Sequence, residues 1–230
     1  MINTDLDLDA ITERYRVDRR VRIDNFLTEG AANQVLECLT QQVTFERIFF
    51  YLGRFHVFSD EQLAQLSEAE RAAMEQSLLD QAAQGIGFDY CGLRMDEAHR
   101  AQAPQVLQDL FGAMNSAEQL GRIHRLSDIP VVSADGQFTR YGPGNFLTRH
   151  SDQVVQERRR IAYVLNLTPR WHPDWGGMLQ FFEQNGVPRD AWEPRFNSLS
   201  LFDVSHIHSV TYVTPFAAGS RFALTGWYRD

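Results

Sequence analysis

The chain has 230 residues, a length that builds an ordinary core in one domain, and it carries 30 acidic against 22 basic residues for a net charge of −8. That balance repels phosphate backbones and argues against nucleic acid as a partner. Its two cysteines, Cys38 and Cys91, make neither a disulfide framework nor a thiolate-rich metal site, and they suit a reducing compartment.

The opening MINTDLDLDAITERYR is acidic and polar where a secretion signal needs a basic start and an apolar run. No later stretch approaches transmembrane length, so the expectation is a soluble, cytoplasmic protein without a membrane partner. Val21 and Ile23 alternate as in a strand. Thr28 can then cap a helix whose apolar residues Ala32, Val35, Leu36 and Leu39 recur at helical spacing. The stretch TFERIFFYLGRFHVF carries alternating aromatic and β-branched residues, and it leads into a Glu-rich helix for which Ser67 and Glu70 form a capping box. Residues 101–120 read as one or two further helices broken at Asn115 or Ser116.

After residue 128 the character changes to short β-rich runs: QFTRYG, NFLTRH, IAYVLNL, MLQFF, SLSLFDV, SVTYV and FALTGWY. Turns such as Asp135-Gly136, Gly142-Pro143-Gly144 and Trp175-Gly176-Gly177 separate them. Many short strands at regular spacing predict a double-sheet sandwich or jelly roll. The fold class is therefore α+β. Residues 1–128 form an α-rich supporting part and 129–230 a jelly-roll core, and with no repeat or clear linker the whole of 1–230 reads as a single domain.

The chemistry concentrates in the second half. In LTRHSD, His150 and Asp152 are two apart and converge on one side if the segment is a strand end. A second pair, His206 and His208, follows in DVSHIHSVTYVTP. Two imidazoles and one carboxylate on one face of a metal suit non-haem iron(II) chemistry. A His-x-Asp pair alone is common in polar turns, so the weight lies in the order of the elements. In the last strand Arg221, Ala223, Thr225 and Trp227 share a face. A guanidinium there, in an apolar interior, needs an anion, either a protein carboxylate or a dicarboxylate cosubstrate.

Taken together, TRYGPGNFLTRHSD, AYVLNLTPRW, WGGMLQFF, FNSLSLFDVSHIHSVTYV and SRFALTGWY resemble the iron(II)- and 2-oxoglutarate-dependent dioxygenases of the prolyl 4-hydroxylase-like branch, over residues 138–229. The resemblance implies a double-stranded β-helix with N-terminal supporting helices. It implies Fe(II) held by His150, Asp152 and His208, the last chosen over His206 because it precedes Val210 as the family's distal histidine precedes its valine. Arg221 would grip the far carboxylate of 2-oxoglutarate, and Tyr141 and Thr225 would hydrogen-bond the same cosubstrate. Fe(II), 2-oxoglutarate and O2 are the implied cofactors and cosubstrates, with ascorbate as an accessory. The stretch VTPFAAG lengthens the segment between His208 and Arg221 relative to compact family members, which bears on the register of Arg221.

The implied reaction decarboxylates 2-oxoglutarate to succinate and hydroxylates a C–H bond, with a prolyl residue of a protein or peptide the expected substrate. Arg158, Arg159, Arg160, Trp171, Trp175 and the aromatic run Phe49, Phe50, Tyr51, Phe55 are candidate substrate contacts, against plainer roles as a solvated strand edge and as core. The alternatives are the same chemistry on a free amino acid or small metabolite, a non-catalytic module binding 2-oxoglutarate or a peptide, and a cupin-like metalloenzyme. The intact four-residue set argues against the module, and the matching arginine against a cupin. The oligomeric state is not legible in the sequence.

Overall fold

The computed structural model describes residues 1–230, and its elements follow the local signals closely. The first part carries α1 (Leu8–Asp18), β1 (Arg20–Asp24), α2 (Glu29–Gln41), β2 (Glu46–Tyr51), β3 (Arg54–Phe58), α3 (Asp60–Gln65), α4 (Glu68–Ala83), β4 (Phe88–Arg94), α5 (Glu97–Arg100), α6 (Gln105–Met114) and α7 (Ala117–Ser127). Then come β5 (Ser133–Ala134), β6 (Gln137–Tyr141), β7 (Phe146–His150), β8 (Arg159–Asn166), β9 (Leu179–Phe182), β10 (Pro188–Trp192), β11 (Ser198–Asp203), β12 (Ile207–Val210) and β13 (Arg221–Arg229).

The caps sit where side-chain chemistry puts them. Thr28 accepts from the Ala31 amide at the start of α2, and Ser67 and Glu70 close a reciprocal box at the start of α4. Asn115 ends α6 and Ser116 caps α7. Three departures from the sequence-based expectations bear on the sheet and its bracing. Helix α1 forms in the acidic opening because Asp7 caps it and Ile11 and Tyr15 are buried, too sparse an apolar pattern to read locally. Strand β4 falls in the part read as helical bracing. The run SVTYV was expected as a strand, yet β12 ends at Val210, and the chain from Thr211 onward leaves the ladder.

The strands form one antiparallel system in the order β1-β11-β8-β13-β6-β4-β7-β12-β9-β10, with β2 also pairing β3 and β4. It curls so that β7, β12 and β9 face β8, β13 and β6 across a shared interior, giving a double-stranded β-helix. The first part therefore supplies β1, β2, β3 and β4 to the sheet as well as helices. Pro188 lies in β10, which pairs only with β9, the edge position that proline tolerates.

Alternation along the strands sorts side chains between two environments. On β8, Ile161, Tyr163 and Leu165 join α1, α2, α6 and α7 in a core cluster of 33 buried residues. Ala162 and Val164 point the other way, into the interior. On β13, Phe222, Leu224 and Tyr228 face the helices, and Arg221, Thr225 and Trp227 line the interior. The helices thus stiffen one face of the sheet and leave the other free to carry a site. No helix is long and apolar enough to cross a membrane.

Candidate metal centre and cosubstrate cavity

The interior between the two sheets is a cavity of about 500 Å³ whose walls include His150, Asp152, His208, Tyr141, Arg221 and Thr225. Each of the residues read as ligands of metal or cosubstrate from the sequence lines it.

Register brings the two imidazoles together. β7 and β12 are antiparallel neighbours in which His150 lies directly opposite His208, with ring centroids 4.3 Å apart. Asp152 follows just beyond the end of β7, its two oxygens 3.5 Å from His150 Nε2 and 3.4 Å from His208 Nε2. Ligand atoms of the three residues all lie within 4.8 Å of one another. Each imidazole is oriented by its other nitrogen. His150 Nδ1 is 2.9 Å from the Thr148 carbonyl, and His208 Nδ1 is 3.0 Å from the His206 carbonyl. A carbonyl only accepts, so both Nδ1 atoms carry the proton and both Nε2 lone pairs face Asp152.

The charges of the group favour a cation. Burial raises the Asp152 carboxyl, but the two imidazoles outweigh it and hold the group below its ordinary value. Burial lowers His150, and Asp152 more than compensates, so its value is raised. Burial and the neighbouring His150 push His208 down to about 4, so this residue presents a neutral lone pair. Two neutral-capable imidazoles and one ionised carboxylate on one side of a common point suit a ferrous ion and leave other positions open.

Arg221 answers the question of its partner. It is 2 % exposed, it forms no salt bridge, and its Nε and Nη1 have no hydrogen-bond partner. Burial lowers its pKa, opposed by Tyr141, whose ring centroid lies 5.1 Å from the guanidinium carbon. A buried cation with orphaned donors calls for an anion that the chain does not supply. The distal carboxylate of 2-oxoglutarate has the charge and the planar geometry for it. The long segment before Arg221 does not disturb its register, since Arg221 pairs with Tyr141 across β13 and β6.

Gly177, at φ 63, passes close beneath this arginine. An added Cβ would lie 2.9 Å from the Trp171 ring and 3.5 Å from Arg221 Cδ. Trp171 and Trp175 pack edge to face in this turn, outside the lining of the cavity. Other candidate contacts divide similarly. Phe49 is fully buried with Met74 and Leu78, and Tyr51 packs on that cluster. Arg158 and Arg160 pair with Asp230. Phe50 and Arg159 do line the cavity, and Phe55 is 51 % exposed with its ring 6.2 Å from that of Phe88.

His206 takes no part in the metal group, because its Nε2 bonds the Asp18 carbonyl at 2.8 Å. Two cavity residues escaped the sequence reading. Tyr90 stacks on Tyr141 at 5.2 Å and accepts from Gln137. Phe88 lies 5.6 Å from Tyr90 on the same strand. Trp227, which alternation had placed on the Arg221 face, lines the cavity beneath the Arg159 guanidinium, 3.5 Å from ring centroid to guanidinium carbon. The alternation Phe88, Tyr90, Gly92 was the available signal for the first two.

Comparison with known proteins agrees with this geometry. Residues 136–229 match the 2OG-Fe(II) oxygenase superfamily. Prolyl 3-hydroxylase OGFOD1 of Xenopus laevis is 33% identical over 103 residues, and that of Mus musculus 32% identical over 101 residues. The matches take in 42% and 41% of this chain but only 20% and 18% of those proteins, so the chain spans about a fifth of their length. A prolyl-4-hydroxylase of Pseudomonas putida superposes with a TM-score of 0.64 at 22% identity, covering 97% of this chain and 98% of its own. A Trichoplax adhaerens prolyl hydroxylase, solved with a hypoxia inducible factor peptide fragment, gives 0.60 at 19% identity, covering 97% and 89%. At those identities the two structures share a fold with this chain. The superfamily match, over residues 136–229, takes in the histidine–aspartate–histidine group and Arg221, so this part of the chain is similar to the 2OG-Fe(II) oxygenases in sequence as well as in the chemistry of its site.

Proposed function

We propose that residues 1–230 act as one Fe(II)- and 2-oxoglutarate-dependent dioxygenase domain that hydroxylates a prolyl residue in a protein or peptide. His150, Asp152 and His208 hold the iron, Arg221 grips the distal carboxylate of 2-oxoglutarate, and Tyr141 and Thr225 hydrogen-bond the cosubstrate. The observation that carries this reading is the unpaired, buried Arg221 in the same cavity as the three ligand residues. Bound there, iron and 2-oxoglutarate supply the activation of O2 that unactivated C–H bonds require, with succinate and carbon dioxide as co-products.

The chain's own residues supply position. The carbonyls of Thr148 and His206 fix the two imidazoles, while the apolar walls from Phe88, Leu147, Val164 and Val210 keep water from the site. Two features support a peptide substrate. An aromatic series runs from the half-exposed Phe55 through Phe88 and Tyr90 to Tyr141, with ring separations of 6.2, 5.6 and 5.2 Å, and its last three members line the cavity that holds Arg221. Such surfaces suit proline rings and extended backbones. Arg159, in the cavity wall, can donate to a peptide carbonyl.

The test incubates the protein with Fe(II), 2-oxoglutarate and a library of proline-containing peptides, reading succinate and the mass gain of one oxygen. Turnover is expected, with complete loss in Asp152→Ala. Unchanged turnover in that variant would remove Asp152 from the chemistry, and oxygen gain confined to free amino acids or metabolites would replace the peptide substrate.

A further inference from the structure

The turn that leads into β12 is anchored by the N-terminal helix. α1 ends at Asp18, followed by Arg19 in the left-handed region at φ 53, so the last carbonyls of the helix lack intrahelical donors. One of them, Asp18 C=O, accepts from His206 Nε2 at 2.8 Å. The next carbonyl, of Arg19, accepts from the Asp203 amide at 2.9 Å. The His206 amide donates to Asp203 C=O at 3.0 Å and closes the turn, and the His206 ring packs edge-on against Phe181 with centroids 6.0 Å apart. The His206 carbonyl then accepts from His208 Nδ1 at 3.0 Å.

The two imidazoles of the metal group differ in how their orienting carbonyls are held. Thr148, which orients His150, lies within β7, and both its amide and its hydroxyl bond Gly87 C=O, at 3.0 and 2.8 Å. His206 lies outside any strand, between β11 and β12, so its carbonyl depends on the turn and on the grip of its own side chain. We infer that His206 is a positioning residue for His208: by bonding Asp18 it ties the metal ligand's orientation to the junction between α1 and β1. The inference rests on the reading of His208 as a ligand. It gives the N-terminal helix a role in the metal site as well as in the core.

Mn(II) binding to the metal-free protein, followed by the EPR signal of the free ion, tests it without turnover. His206→Ala should weaken Mn(II) affinity about 10- to 100-fold, the usual effect of removing a support behind a metal ligand. His206→Gln, whose amide nitrogen reaches about as far as Nε2, should recover most of that loss. His206→Asn, with a shorter amide, should resemble alanine and serves if the alanine protein does not fold. Leu165→Ala, a core change remote from this turn, should lower thermal stability and leave Mn(II) affinity unchanged, which separates positioning from general loosening. Unaltered affinity in His206→Ala and His206→Asn would overturn the inference, as would equal weakening in His206→Gln. Absence of Mn(II) binding by the unaltered protein would overturn the metal reading, and this inference with it.

Discussion

Replacing Arg221 by methionine should improve the free protein and ruin its use of 2-oxoglutarate. In the free protein the guanidinium is 2 % exposed with two orphaned donors, Nε and Nη1. Each such buried, unsatisfied group costs about 1–3 kcal/mol, so removing both recovers roughly 2–6 kcal/mol. Against this stands the attraction of the guanidinium to the Tyr141 ring, 5.1 Å away, about 2 kcal/mol for a desolvated pair. Methionine keeps most of the apolar stem. The expected net effect is a gain of zero to about 4 kcal/mol in the absence of cosubstrate. Binding moves the other way. Truncating one partner of a buried, hydrogen-bonded ion pair costs about 2–5 kcal/mol, a rise in the dissociation constant of roughly thirty- to several-thousand-fold. Urea unfolding of the metal-free protein measures the first quantity, and calorimetric titration of 2-oxoglutarate into the Mn(II)-loaded protein the second. Two results would refute the reasoning: unchanged affinity for 2-oxoglutarate, or a metal-free protein destabilised by more than about 3 kcal/mol, the cost of breaking a pre-existing buried pair.

Metal binding should weaken on acidification in a particular order. The metal takes neutral imidazoles, so protons compete for His150, whose pKa is raised, before they compete for His208, which is pushed down to about 4. Mn(II) affinity should be full above the His150 pKa and fall about tenfold per pH unit below it. A flat profile from pH 8 to 5, followed in the same EPR titration, would contradict it. Leu165→Ala, fully buried among the helices and β8, should cost about 2–5 kcal/mol in urea unfolding, with affinity for 2-oxoglutarate intact. Loss of cosubstrate binding there would mean the helical core and the cavity are coupled more tightly than alternation along β8 implies.

Much of this molecule follows from local chemistry. The caps at Thr28 and Ser67, the break at Asn115–Ser116 and the period-two runs of the second half each depend on residues within one or two turns of chain, so they are readable without knowing what lies across the sheet. The alternation that puts Arg221 and Thr225 on the interior face of β13 is of the same kind. The order His-x-Asp, His, Arg was legible as a family resemblance, but from the residues alone the choice between His206 and His208 stayed open.

Tertiary structure decided that choice. Antiparallel pairing of β7 with β12 sets His208 opposite His150, and a neighbour two positions back turns instead to the end of α1, 188 residues away in the chain. It also decided that Arg221 has no carboxylate of its own, a fact about every element packed around it. Strand β4 and helix α1 belong with these, since β4 is defined by its partners β2, β6 and β7, and α1 by the buried Tyr15 and Ile11. Periodicity records which way a side chain faces along its own element. Register between distant strands, set only when the whole sheet closes, determines what that side chain meets.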